Sequence, residues 1–247
     1  MYKTDISNCD REPIHIPGRV QSHGFLLAIH QTNYTITYLS DNVSQYLGED
    51  TANLLGSPLT NFIELLDRNA VSTDLIQALS LGKSQGFDLI NPYKLTINGN
   101  PFYLIIHLSG ENLVLEFETA TLQYDVQHVI GRSVADILSH RSIEGLLQRT
   151  AEEIKNMIEY DRVMVYKFLE DGHGEVIAEV KNEDLEPFLG LHYPASDIPK
   201  QARELYKLNM TRIIADVNSE SAAISTFETE TPLDLTHSTL RAVSPVH

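Results

Sequence analysis

Short apolar runs alternate with polar turns along the first half of the chain. FLLAIH (25–30) and TITYLS (35–40) predict two strands, and a helix over Val43–Leu47 follows with Asp41 as its N-cap. After a polar, partly helical middle come KLTI, PFYLIIHL and ENLVLEFET, separated by the turn signals NGN and SGEN. Two early strands, short helices and three late strands predict a small antiparallel sheet with helices on one side, an α+β domain over residues 24–118. The preceding arm, NCDREPIHIPGRVQSHG, has two prolines, two glycines and no period, so residues 1–23 read as irregular.

The period then becomes helical. Ile130, Val134, Ile137 and Leu138 share one face, and Ile143, Leu146, Leu147, Ala151 and Ile154 share another, with a restart at Ser142. RVMVYKF (162–168) and GEVIAEV (174–180) predict a hairpin around LEDGHG. In EDLEPFLGLHYPASDIP the prolines at 187, 194 and 199 exclude regular helix and predict an extended segment around Asp197. Pro199 suits the first turn of a helix through QARELYKLN, and MTRIIADV reads as a strand. The polar stretch 218–239 reads by composition as a surface loop, and LRAVSPVH ends the chain. Residues 119–247 thus predict a second α+β domain whose sheet lacks partners, so the chain reads as a fragment.

Composition narrows the functions. Of 247 residues 42% are hydrophobic, enough for two ordinary cores, and no apolar run reaches membrane-spanning length, so a soluble, cytoplasmic protein is expected. A net charge of −16 without a basic cluster argues against nucleic acid or anionic membranes. An anionic ligand would need individually placed cations. The single cysteine, Cys9, is a free thiol. Ten histidines form no HxH or HExxH spacing, and no metal site is expected.

Several residues carry two readings each. Cys9, near Arg11 and His15, is either a nucleophilic thiol or an inert terminal one. Asp197 either aims a carbonyl or carboxylate at a ligand or caps the next helix. Tyr206 is ligand contact or packing, and Arg212 and Arg241 are a carboxylate clamp or surface decoration.

Taken together, these segments resemble one family, the bacteriophytochromes. The arm CDREPIHIPGRVQSHG at 9–24 is similar to the family's N-terminal signature, DGHGEVIAEVKNEDLEPFLGLHYPASDIPKQARELYKLN at 171–209 to its GAF pocket segment, and LRAVSPVH to the start of its histidine-bearing helix. The resemblance implies a PAS domain at 24–118 and, at 119–247, a linker helix and bilin-binding GAF domain that is incomplete at its C-terminus. A figure-of-eight knot would join the arm to the 218–239 loop. It implies a red/far-red photoreceptor with biliverdin as cofactor, attached through Cys9, because Val246 stands where plant-type phytochromes carry their own attachment cysteine.

The same resemblance implies roles residue by residue. Asp197, Ile198 and Pro199 would face the pyrrole nitrogens, and His247 the inner rings. Arg212, Arg241 and Ser244 would hold the propionates, and Tyr166, Tyr193 and Tyr206 would wall ring D, which isomerises in light. No enzymatic turnover is expected of this chain beyond autocatalytic bilin attachment. The implied partners are the bilin, a downstream histidine kinase or response regulator, and a homodimer as an allowed assembly. The competing reading is a PAS-GAF sensor of another small molecule, such as a cyclic nucleotide.

Overall fold

A computed structural model describes residues 11–66, 71–120, 142–158, 160–227 and 231–243. Cys9, Ser244 and His247 lie outside the described residues, as does the helix expected around Ile130. Contacts divide the chain into two compact units, one of residues 1–121 with 201–247 and one of residues 122–200.

The first unit is built on a seven-stranded antiparallel sheet. Its strands are β1 (Arg19–Val20), β2 (Gly24–His30), β3 (Ile36–Ser40), β4 (Tyr93–Ile97), β5 (Asn100–Ser109), β6 (Asn112–Thr119) and β10 (Ala222–Thr226), in the order β1-β10-β3-β2-β6-β5-β4. Helices α1 (Val43–Leu47), α2 (Leu59–Leu65) and α3 (Val71–Gln85) belong to the same unit. Phe25, Leu27 and Ile29 of β2 join Phe102, Leu104 and Ile106 of β5, Leu115 and Phe117 of β6, and Phe62 and Leu75 in one core. Phe25 stacks on its register partner Phe117, with centroids 4.7 Å apart.

The opposite face is covered too. Leu26 and Ala28 of β2 and Val114 of β6 pack with Val20, Leu233, Leu235 and Leu240. This explains why FLLAI is apolar throughout rather than alternating, since a strand buried on both faces needs apolar residues at every position. A Cβ on Gly24 would lie 2.5 Å from the Phe117 carbonyl oxygen and 2.8 Å from a Leu240 methyl, so the close approach of residue 240 requires glycine there.

The stretch 218–239 that reads as a surface loop is thus partly structural. Strand β10 pairs with β1 (Arg19↔Ala223) and with β3 (Ser225↔Leu39), bringing the arm and this stretch together at the sheet edge. The knot itself is not shown. Two further expectations change. Asn42, not Asp41, is the N-cap of α1, while the Asp41 carboxylate accepts from Ser225 Oγ at 2.8 Å. Residues 210–217 form no strand: in place of a partner strand, the Gln21 side chain donates to Ile213 O at 2.8 Å and accepts from Ala215 N at 3.1 Å.

The second unit packs α4 (Ile143–Ile158) on a three-stranded sheet of β7 (Arg162–Phe168), β8 (Gly174–Lys181) and β9 (His192–Tyr193). The restart at Ser142 is a true cap, its Oγ accepting from Gly145 N at 3.1 Å. Ala151 is buried, but Ile143 is exposed, so the predicted apolar face of α4 is only partly covered. PASD is a turn rather than an extended segment. Proline restricts itself and the residue before it, which leaves 195–197 free to bend, and Asp197 N donates to Pro194 O at 3.1 Å. Helix α5 (Lys200–Leu208) begins immediately after Pro199. Among the described residues no helix is long and apolar enough to cross a membrane.

Candidate chromophore site

Two groups of candidate residues assemble, one in each unit. In the second, β7 and β8 pair so that Tyr166 lies over Gly174, where a Cβ would overlap the tyrosine ring. Strand β9 then sets Tyr193 against Gly174 in register. The result is an aromatic cluster: Tyr166 lies 5.2 Å from Phe168 and 6.2 Å from Tyr193, and Tyr193 lies 6.3 Å from Phe188. Glu179 holds the loop that carries Phe188. Its Oε2 accepts from Phe188 N at 2.9 Å and Leu189 N at 3.1 Å, while its Oε1 pairs with Arg162 at 3.2 Å. The Arg162 guanidinium lies 3.6 Å from the Phe188 centroid. Asp197 is exposed on its turn, and Ile198 and Pro199 beside it are half-buried.

In the first unit Tyr206, Arg212 and Arg241 come together. Arg212 Nη1 donates to Arg241 O at 2.6 Å, and Gln21 Nε2 donates to the same carbonyl at 3.1 Å. Arg241 is bridged to Val20 of β1, so the segment before it is fixed to the sheet. Burial pulls the Arg212 guanidinium down to about 10, the neighbouring Arg241 charge adds to this, and Tyr206 opposes it. Burial also lowers Arg241, opposed by Tyr206 and Asp234. Two adjacent, partly desolvated cations repel each other, and Arg241 Nη1 is buried without a hydrogen-bond partner. A planar dianion would relieve both penalties. The residues present therefore fit a ligand bearing carboxylates.

Two contributors escape a sequence reading. Gln21, in the arm, organises both the 213–215 segment and the Arg241 carbonyl. Glu116 is completely buried in β6 and accepts from Ser238 Oγ, from Thr239 N at 3.0 Å and from Thr239 Oγ1 at 3.1 Å, tying down the residues just ahead of Arg241. In LEFE the alternation signals an outward glutamate, and only the covering segment, distant in sequence, makes that face an interior.

The fold is shared with known proteins. The chain is similar to the chromophore-binding domain of a Stigmatella aurantiaca phytochrome, with a TM-score of 0.87 and 34% identity over 99% of this chain and 80% of that one. It belongs to the bacteriophytochrome family. Another bacteriophytochrome structure, a chromophore-binding domain from R. palustris, matches with a TM-score of 0.85 and 32% identity, covering 97% of this chain and 78% of that one. The family model described as PAS fold matches residues 9–120. Among curated relatives, cyanobacterial phytochrome B of Nostoc sp. is 36% identical over 100% of this chain and 33% of its own length. The bacteriophytochrome of Pseudomonas aeruginosa is 36% identical over 98% of this chain and 33% of its own. The bacteriophytochrome chain described here thus spans about a third of the length of these relatives.

Proposed function

We propose that this chain is a light-sensing module that holds a bilin, specifically biliverdin, and passes its state to a downstream output module, a histidine kinase or response regulator system. The observation that carries the reading is the Arg212–Arg241 pair, whose buried, unpartnered Nη1 calls for an anionic ligand inside an otherwise acidic protein. When bound, biliverdin would supply a red-absorbing conjugated system whose ring D double bond isomerises in light.

The chain's own residues hold and tune it. Arg212 and Arg241, with Ser244, neutralise the propionates. The Asp197 backbone carbonyl accepts from the pyrrole N–H groups, and His247 keeps the nitrogens protonated. Tyr166, Tyr193 and Tyr206 limit the space open to ring D. Cys9 would hold ring A through a thioether, its thiol adding across a ring A vinyl group, and the arm that carries it would thread through the 218–239 loop. Attachment is autocatalytic, and the chain turns over no substrate.

The test is co-expression with a haem oxygenase followed by zinc-induced fluorescence in a denaturing gel. A fluorescent band is expected for the native chain. Cys9→Ser should lose the band while retaining some pigment under native conditions. Unchanged covalent attachment in that variant would remove Cys9 from the proposal, and a colourless native chain would remove the bilin.

A further inference from the structure

In the second unit an ion pair lies beside the aromatic cluster. Arg162 of β7 and Glu179 of β8 sit diagonally on neighbouring strands, opposite Lys181 and Met164 respectively. Their side chains are only 16% and 4% exposed. Arg162 Nε approaches Glu179 Oε1 to 3.2 Å, yet neither atom makes a hydrogen bond, so charge is what joins them. Desolvation makes such a pair a weak source of stability. Both partners are, however, also bonded to one loop. Glu179 Oε2 accepts from Phe188 N and Leu189 N, two charge-assisted bonds, and Arg162 Nη2 donates to Glu186 O. The far side of that loop is tied to β8, with Gly190 N donating to Val176 O at 2.9 Å and Val176 N to Leu191 O at 3.1 Å.

We propose, resting on the bilin reading above, that Arg162 and Glu179 are positioning residues for the photochemistry: together they fix Phe188, and through it the tyrosine wall against which ring D turns. Three observations carry the chain of contact. First, the Phe188 backbone is held by the Glu179 carboxylate, while its ring is held by the Arg162 guanidinium, 3.6 Å from the centroid. Second, the same ring meets Tyr193 edge-on, at 65° and 6.3 Å. Third, Tyr193 meets Tyr166 at 46° and 6.2 Å, and Tyr166 in turn lies against Gly174, where even a Cβ would overlap it. A Phe188 ring free to turn changes the space open to Tyr193, and so the stiffness of the wall.

Stiffness has an optical consequence. Excited pigment either emits light or loses its energy by rotating ring D, and the two routes compete, so a wall that yields favours rotation and lowers emission. A neutral amide at 179 isolates the part played by charge. Its carbonyl oxygen still accepts from Phe188 N and Leu189 N, so the loop keeps its path, while the attraction that keeps the guanidinium over Phe188 is gone. A glutamine at 162 removes the guanidinium and leaves those two backbone bonds in place.

The test uses the full chain loaded with biliverdin by co-expression with a haem oxygenase, and reads fluorescence yield per bound pigment. Glu179→Gln and Arg162→Gln should each lower the yield by about twofold or more, and the double variant should lower it no further, because the two side chains act as one unit. Unaltered yield in both single variants overturns the proposal, as does a double variant whose loss is the product of the two single losses. So does a fall in yield that follows the thermal midpoint of the pigment-free chain across the three variants, which is what a merely structural pair would give. A native chain that takes up no pigment overturns the bilin reading and this inference together, whereas a pigmented native chain with unaltered variants overturns this inference alone.

Discussion

At the scale of single residues, Glu116, His107 and Arg241 are desolvated ionisable groups of the first unit with opposed demands. Burial raises the Glu116 carboxyl from 4.5 to about 7, against the pull of its bonds to Ser238 and Thr239. The folded chain then holds a proton that the unfolded chain releases between about pH 4.5 and 7. Its contribution is fully present below that window and is lost as pH rises through about 7, on the order of 3 kcal/mol in all. His107, lowered to about 4, works the other way: the unfolded chain binds its proton first, so stability falls as pH drops from about 6.5 towards 4. The two slopes oppose each other over the shared range. Glu116→Gln should therefore unmask a stability that rises with pH between about 5 and 6.5, measured by urea unfolding relative to the native chain. A difference curve that is flat over this range would show that Glu116 titrates normally. Arg241 makes a second residue-scale prediction. Because its Nη1 lacks a partner, Arg241→Gln should leave apo stability within about 1 kcal/mol of the native chain, yet weaken biliverdin retention at least about tenfold, read by pigment titration.

At the scale of elements, β2 to β6 and the β7–β8 hairpin were legible because their period, turn residues and length agree. Helix α5 was legible from Pro199, and the start of α4 from Ser142. The segment 210–217 forms no strand despite its pattern, because an apolar run specifies a strand only if a partner strand exists, and here a single amide, Gln21, occupies that place. The structural role of 218–240 was hidden for the converse reason. Its anchors Leu233, Leu235 and Leu240 are isolated apolar residues whose partners sit on β2 and β6. The candidate site divides in the same way. Tyr206, Arg212 and Arg241 were legible as types and order, whereas their dependence on Gln21 and Glu116 is purely tertiary. Gly24 tests this packing directly. Gly24→Ala should cost about 1–3 kcal/mol in thermal or urea unfolding and should speed amide exchange at Leu240–Ala242, because the new methyl meets the Phe117 carbonyl oxygen and displaces Leu240. A neutral substitution would mean that the segment is only loosely laid on the sheet.

At the scale of the whole molecule, charge and site are in conflict. The chain carries −16, and the proposed pigment brings two propionates, so approach from a distance is repulsive while the last few ångströms, beside Arg212 and Arg241, are attractive. Screening separates the two regimes, since the Debye length falls from about 30 Å at 0.01 M salt to about 8 Å at 0.15 M. The long-range repulsion is erased over that interval, whereas contacts at hydrogen-bond distance to partly desolvated arginines are screened far less. The association rate of biliverdin, measured by stopped-flow absorbance, should therefore rise several-fold with salt, while its dissociation rate changes little. Biliverdin dimethyl ester, which lacks the two charges, should bind with a rate indifferent to salt but dissociate faster, having lost the arginine contacts. Arg212→Gln should steepen the salt dependence of the native ligand, because it removes one of the cations that shortens the repulsive range. A rate that instead falls with salt would mean that the arginines project a field reaching well beyond the pocket, and that the acidic surface plays no part in how the pigment arrives.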